Sequence, residues 1–215
     1  MRKALLLSFV LLPLLLLVAA GQGLSVKTIM HLHCSDIPDD DGQKSLFFLA
    51  HKAVSEGYGC VIITPHCDPA DLAKGDLIKK LPDCPNLTII VGREVNESGA
   101  HVLEFDDVRV WAHPWYPVEG ALPRSFCQFY EVFNERVAKQ AQMDLFLSPT
   151  NVTRLKSLVG EDWHGGDKPF RTAIIAEAEN MSEAAIVAAL KDGNYALSVD
   201  GVDVAGQVAM ARELE

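Results

Sequence analysis

Short apolar runs and longer amphipathic segments alternate along most of the chain. The apolar runs are rich in β-branched residues and predict strands at residues 26–30, 60–64, 87–91, 101–105, 108–112 and 195–199. The amphipathic segments predict helices at residues 45–56, closed by Gly57, and at 71–80, 126–142 and 181–191. Apolar strands separated by such helices predict a mostly parallel α/β sheet or barrel.

The N-terminus has a different pattern. Residues 4–20 are apolar and follow two basic residues, and residues 19–21 are small. This layout predicts a secretory signal peptide over residues 1–21, so we expect an exported protein, periplasmic or extracellular. A retained membrane anchor is the alternative, but the run is near the lower length limit for a span and Pro13 interrupts it. Once the signal is cleaved, no stable membrane anchor is expected.

Composition restricts the function classes. The chain has 215 residues, of which 49% are hydrophobic and 22% charged, so residues 26–215 fit one globular domain. The formal net charge of −10 disfavours nucleic-acid binding, which needs Lys and Arg to displace phosphate counterions. A phosphorylated small-molecule substrate is still compatible with this charge, because bound metal ions can supply the missing positive charge. The sequence predicts nothing about oligomeric state.

Histidines concentrate at the ends of the predicted strands. Six of the seven lie at a strand end or in the adjoining loop: His31, His33, His66, His101, His113 and His164. In parallel α/β folds the carboxyl ends of the strands carry the active site. The alternating pair His31 and His33 points both imidazoles to one side of an extended chain, which suits chelation of a cation. Histidine and carboxylate ligands without thiolate suit Zn²⁺, Mn²⁺ or Fe²⁺.

The order of these motifs resembles a known family. The succession HLH, DDDG, TPH, GREV, GAH, AHP and GEDWHG, from about Thr28 to His164, is similar to that of the polymerase and histidinol phosphatase (PHP) superfamily of metal-dependent hydrolases. The resemblance implies a single domain with a distorted (β/α)7 barrel. Residues 170–198 also look like the branch that contains carbaryl-hydrolase-like proteins.

The resemblance further implies a site with two to three metal ions per chain. One ion would have the ligands His31, His33, Glu94 and Asp162; a second would have Glu94, His101 and His113; a third would have Asp41, His66 and His164. Asp39 and Asp40 are alternatives to Asp41. Met30 and Pro65 stand where the family usually has Asp, so altered metal affinity is expected rather than a lost ligand. Glu131 lies in a segment that also resembles the family and is interpreted as structural.

The expected reaction follows from this ligand set. Clustered metals lower the pKa of a bridging water and clamp the oxygens of a phosphoryl group, so we expect hydrolysis of a phosphate ester by a metal-activated hydroxide. Glu94, Asp162 and His164 are the candidate catalytic residues, with Asp162 or His164 moving protons. Arg93 and Arg171 are candidates for binding substrate charge. Hydrolysis of an amide or carbamate at the same site, or a catalytically silent metal- or ligand-binding domain, are the alternatives.

Overall fold

The computed structural model describes residues 23–37, 40–66, 84, 86–114, 127–135 and 155–204. Within these ranges the strands are β1 (Leu24–Leu32), β2 (Cys60–Ile63), β3 (Thr88–Val91), β4 (Arg93–Glu97), β5 (Ala100–Phe105), β6 (Val108–Ala112), β7 (Phe129–Asn134), β8 (Lys156–Gly160), β9 (Thr172–Ala178), β10 (Tyr195–Val199) and β11 (Val202–Asp203). The helices are α1 (Leu46–Ser55) and α2 (Glu183–Asp192). The predicted signal segment and the predicted helix at 71–80 lie outside the described residues.

One mixed sheet has the strand order β11-β10-β9-β1-β2-β3. Strands β1, β2 and β3 run parallel, and α1 makes the crossover between β1 and β2. The Ser45 side chain caps α1 by accepting a hydrogen bond from the Phe48 N–H. The helix buries Leu46, Leu49 and Ala53 against the sheet. Strand β9 pairs antiparallel with both β1 and β10.

The other mixed sheet has the order β4-β5-β6-β7-β8. Strands β4, β5 and β6 form an antiparallel meander, while β6, β7 and β8 run parallel. All residues of β7 except Phe133 are buried, as expected for a strand between two neighbours. Within the described ranges, no helix is long and apolar enough to cross a membrane.

The prediction of a (β/α)7 barrel is wrong, because the described strands form two open mixed sheets in which antiparallel pairs are common. The physical reason is the length of the connections. Only Ser98 and Gly99 join β4 to β5, and only Asp106 and Asp107 join β5 to β6. Two residues close a hairpin, whereas a parallel neighbour needs a crossover of a dozen residues or more.

Most of the other predicted elements are confirmed with small shifts at their ends. The exception is the helix predicted at 126–142, which is wrong over residues 129–134, where the chain forms β7. The run FYEVFN is buried on both sides, so its apolar spacing reflects a central strand and not one face of a helix. The rest of that prediction, apart from residues 127, 128 and 135, lies outside the described residues.

Backbone hydrogen bonds join the two sheets at the carboxyl ends of β1, β2 and β8. After β8 the chain runs beside the end of β1, where the Glu161 N–H donates to the Met30 carbonyl at 3.1 Å. The Trp163 N–H donates to the His31 carbonyl at 3.1 Å. On the other side, the Glu94 N–H donates to the Pro65 carbonyl at 2.8 Å. These contacts bring the predicted ligand segments to one place.

Candidate metal centre

The end of β1 supplies two fully buried histidines, His31 and His33. The pairing of β1 with β2 shifts register between Met30 and Leu32, and His31 has a left-handed φ of 63°. Such a bulge redirects a side chain, which is a common device beside active sites. The two imidazole centroids lie 5.4 Å apart, so both rings reach the same cluster of carboxylates.

Glu94, on β4, is the centre of this cluster and is 5% exposed. Its Oε1 lies 2.6 Å from His101 Nδ1 and 3.2 Å from His113 Nε2, and its Oε2 lies 3.0 Å from His31 Nε2, 3.3 Å from His33 Nε2 and 3.6 Å from His66 Nδ1. Strands of both sheets and the segments that follow them therefore bring five imidazoles to one carboxylate.

The segment after β8 contributes Asp162 and His164. Asp162 has a left-handed φ of 50°, and its Oδ1 lies 3.5 Å from His31 Nε2 and 3.8 Å from His33 Nε2. The His164 Nδ1–H donates to the Asp162 carbonyl at 2.9 Å, which leaves Nε2 facing Asp41 Oδ1 at 2.9 Å. Between them, the Trp163 ring packs against Phe48 and Phe170 and holds the segment against α1.

Asp40 and Asp41, two of the three acidic residues at positions 39–41, contact different groups of the cluster. Asp41 Oδ1 lies near His164 and His66, whereas Asp40 accepts a hydrogen bond from His33 Nδ1 at 2.8 Å and one from the Cys34 N–H at 2.7 Å. Asp39 lies outside the described residues. Gly42 allows this loop to close, because a Cβ there would lie 2.2 Å from the Cys34 nitrogen.

Three sets of side chains bring their ligand atoms within 4.8 Å of one another, and together they contain every predicted metal ligand except His101. The sets are His31, Glu94 and His113; His31, His33 and Asp162; and His33, Asp41, His66 and His164. His101 contacts the centre through Glu94. The sets differ from the grouping implied by the resemblance, because His33 joins the set that contains Asp41 and Asp162 is not grouped with Glu94.

The opposite charges in the cluster shift each other's titration. Burial lowers the pKa of His31, but Glu131, Asp162 and Glu94 more than offset this and hold its pKa well above its usual value. Burial also lowers the pKa of His113, but the hydrogen bond to Glu94 helps to raise it, and the net result is a pKa above its usual value. Burial raises the pKa of Glu94, yet His31 and the hydrogen bonds from His101 and His113 bring it well below its usual value. The Glu94 carboxylate is therefore anionic and attracts cations.

Sequence reasoning assigned no ligand-orienting role to Glu131 or Asp40. Glu131 is fully buried, and it accepts a hydrogen bond from His31 Nδ1 at 2.8 Å. The signal that marks it is a single acid inside the apolar run of β7, because a buried carboxylate needs partners. From the sequence Asp40 is only an alternative metal ligand, whereas in the structure it contacts the ring nitrogen of His33 that faces away from Glu94.

The predicted substrate-binding arginines both hold ion pairs in the described part of the chain. Arg93 pairs with Glu104 on the neighbouring strand. Arg171 pairs with Asp200 and Glu135, and its guanidinium lies over the Phe133 ring. Substrate binding by either residue stays a prediction.

The donor set fits a divalent metal ion. Among the residues that the structure describes, no group makes a hydrogen bond to the buried His33 Nε2, although Glu94 and Asp162 lie close to it. An unsatisfied buried nitrogen is unfavourable, and a cation between it and these carboxylates would satisfy it. Imidazole and carboxylate ligands together suit Zn²⁺, Mn²⁺ or Fe²⁺.

No known family profile matches the chain, and no curated protein matches it by sequence. Two solved structures are similar in fold. A two-domain protein from Bacteroides vulgatus, described as containing a predicted PHP-like metal-dependent phosphoesterase, matches with a TM-score of 0.61 and 15% identity over 85% of this chain and 67% of that chain. PsfC from Pseudomonas syringae matches with a TM-score of 0.54 and 12% identity over 88% of this chain and 97% of that chain.

At these identities the likeness is one of fold. The similarity to the Bacteroides vulgatus protein is in fold, and membership of the PHP superfamily stays a prediction from the sequence motifs. Neither comparison bears on the carbaryl-hydrolase-like branch.

Proposed function

We propose that this chain is a divalent-metal-dependent hydrolase that acts on a small phosphate ester. The observation that carries the proposal is the buried convergence of histidines on Glu94, one of which, His33, has no hydrogen bond to Nε2 from any described residue. The shared fold with a PHP-like protein supports the same class of reaction. The amino-terminal signal pattern supports export as the setting of that reaction.

The three sets of side chains around Glu94 are the proposed metal ligands, and the proposal is that together they bind two to three ions. Bound there, divalent ions would act as Lewis acids toward phosphoryl oxygens and lower the pKa of a water molecule to near neutrality. Their positive charge would also offset the anionic carboxylates of the cluster and admit a phosphorylated substrate to an acidic protein.

The exposure of the side chains indicates where substrate enters. The His31 side chain is fully buried and that of Glu94 is 2% exposed, whereas those of His66 and Asp41 are 32% and 55% exposed. A phosphate ester would therefore approach from the side of Asp41, His66 and His164. The buried side would hold the ligands away from bulk water. Electrostatic contacts are stronger there, because the dielectric constant is lower than in water.

Asp162 and His164 are the proposed proton-handling residues. Burial raises the pKa of Asp162, but His31 and His113 outweigh burial and bring this pKa below its usual value. The carboxylate is therefore anionic and can accept the proton of the attacking water. His164 Nδ1–H is held by the Asp162 carbonyl, which leaves Nε2 on the open side of the cluster. In this role His164 is not a metal ligand: protonated at Nε2, it donates to the leaving oxygen of the ester as the P–O bond breaks, giving an alcohol and inorganic phosphate. The ion of its set would be held by the three other members, His33, Asp41 and His66.

The experiment measures turnover of p-nitrophenyl phosphate with added Mn²⁺ or Zn²⁺, before and after chelation by EDTA. His33→Ala is the test variant, because His33 belongs to two of the three ligand sets. His51→Ala is its matched control, since His51 is an exposed residue of α1 next to Phe47 and lies in none of them.

The proposal predicts that chelation and His33→Ala each lower kcat/KM by about a hundredfold or more, because metal stabilisation of the transition state contributes several kcal/mol. His51→Ala should match the wild type. Turnover that survives both chelation and His33→Ala would refute the metal-dependent mechanism. Bound metal without phosphatase activity would refute the phosphate ester and redirect the assay to amides and carbamates.

A further inference from the structure

We infer that Glu131 is a positioning residue of this centre, which fixes His31 and His113 so that both present Nε2 to Glu94. The inference rests on the proposed metal binding and adds a residue that would not itself contact the metal. The two carboxylate oxygens of Glu131 accept hydrogen bonds from different histidines. Oε1 accepts from the His31 Nδ1–H at 2.8 Å, and Oε2 accepts from the His113 backbone N–H at 2.8 Å.

The local backbone is arranged around this carboxylate. Strand β7 shifts register between Glu131 and Phe133, just as β1 shifts on either side of His31. On β8, Gly160 leaves the space that the carboxylate occupies, because a Cβ there would lie 1.8 Å from Glu131 Oε1. The carboxylate accepts its third hydrogen bond from the Asn134 side-chain amide, which donates to Oε2 at 3.0 Å. A fully buried carboxylate is stable only with such partners.

The hydrogen bond to His31 determines which nitrogen of that ring is available. Because Glu131 accepts the Nδ1–H, the proton that a metal ion displaces is the one on Nε2, which lies 3.0 Å from Glu94 Oε2. The lone pair exposed on Nε2 is then available to the metal. A carboxylate on the far nitrogen also makes a histidine a stronger metal ligand and restricts rotation of its ring.

The bond to His113 acts on the backbone. His113 has a φ of 25°, which L-residues rarely adopt, and the Glu131 carboxylate holds its N–H in that conformation. The His113 side chain then reaches Glu94 Oε1 at 3.2 Å. One buried carboxylate thus orients two of the three members of the set His31, Glu94 and His113.

The test compares Mn²⁺ titrations of the wild type with those of two variants that each convert a buried glutamate to glutamine. Glu131→Gln keeps the size of the side chain but replaces one accepting oxygen by an NH₂ group, which cannot accept a hydrogen bond. Glu161→Gln is the matched control. Glu161 is also buried and accepts hydrogen bonds from Thr172, but it is not part of the three ligand sets.

We expect Glu131→Gln to lower the affinity for at least one Mn²⁺ ion per chain by about 10- to 100-fold. This is the usual effect of removing a residue that hydrogen-bonds a metal ligand. The set of His33, Asp41, His66 and His164 contains neither His31 nor His113, so one class of site should keep its affinity. Nitrogen NMR of the Zn²⁺-loaded proteins should find the His31 proton on Nδ1 in the wild type, and loss of this single state in Glu131→Gln.

Three outcomes separate the inference from the proposed function. If the wild type binds no Mn²⁺ or Zn²⁺, the proposed function fails. If the wild type binds metal and Glu131→Gln binds it with unchanged affinity, only the positioning role fails. An equal loss in Glu161→Gln would also overturn that role, because any buried glutamate would then have the same effect.

Discussion

Substituting Gly160 by alanine is the sharpest perturbation that the structure offers beneath the cluster. The new methyl group would lie 1.8 Å from Glu131 Oε1, 2.6 Å from its Cδ and 3.3 Å from the His31 Cβ. The contact is with a buried carboxylate held by three hydrogen bonds, so neither side can yield without breaking one of them. The substitution should therefore destabilise the metal-free protein.

The size of this effect can be worked out from two contributions. Overpacking a close-packed interior lowers the free energy of unfolding by about 1–3 kcal/mol. Leaving one partner of a buried hydrogen bond unsatisfied lowers it by about another 1–3 kcal/mol. For a chain of this length, 1 kcal/mol corresponds to about 2–4 °C in Tm. Gly160→Ala should thus lower Tm by at least about 4 °C.

Thermal unfolding followed by circular dichroism in EDTA measures this change. The matched control is Gly59→Ala, whose new Cβ would meet the flexible end of Met181 at 3.1 Å and Val26 Cγ1 at 3.4 Å. That side chain can move, so the control should shift Tm by no more than about 2 °C, the equivalent of a small packing change. Equal Tm values for Gly160→Ala and the wild type would refute the close packing of Glu131 against β8.

Three further results are expected. Zn²⁺ affinity, measured by calorimetry, should be lower at about pH 6 than at about pH 8. The raised pKa values of His31 and His113 mean that the metal must displace tightly held protons. An affinity that does not change with pH would contradict this. The stability that those protons give the metal-free protein should be lost as pH rises above about 6.5 and through the raised pKa values, as denaturant titration would measure. Saturating metal, at a hundred times its Kd, should raise Tm by about 5–10 °C over the EDTA-treated protein, and an unchanged Tm would argue against binding to the folded state.

The candidate ligands could be found from the sequence because their signals are local. His31 and His33 follow an apolar strand in alternation, and His66 and His113 end other apolar runs. The seventh histidine, His51, lies in the middle of a predicted helix, and the structure places it on the exposed side of α1. Strand ends are read from neighbouring residues alone.

The pairing of the sheets could not be read in the same way. Whether β9 lies antiparallel to β1 depends on contacts between residues far apart in sequence, such as Thr28 and Ile174. The family resemblance implied a distorted (β/α)7 barrel, while the short connections around β5 required hairpins. Those two-residue connections were visible in the sequence and should have outweighed the analogy.

The grouping of the ligands was also hidden from the sequence. His31 is redirected by a bulge, and Asp162 takes a left-handed conformation, so spacing along the chain does not determine which side chains converge. Glu131 lies a hundred positions from His31 in sequence, and no local pattern connects them. A single acid in an apolar strand indicates a buried charge but does not identify its partner.

The metal content of the purified protein tests the central claim most directly. Elemental analysis of protein prepared without chelator, beside His33→Ala, counts the ions that the cluster holds. We expect two to three equivalents of Zn, Mn or Fe per wild-type chain and a clear loss in His33→Ala, because His33 belongs to two ligand sets. Correctly folded protein that holds no metal, even after incubation with Zn²⁺ or Mn²⁺, would contradict the assignment of this cluster as a metal centre.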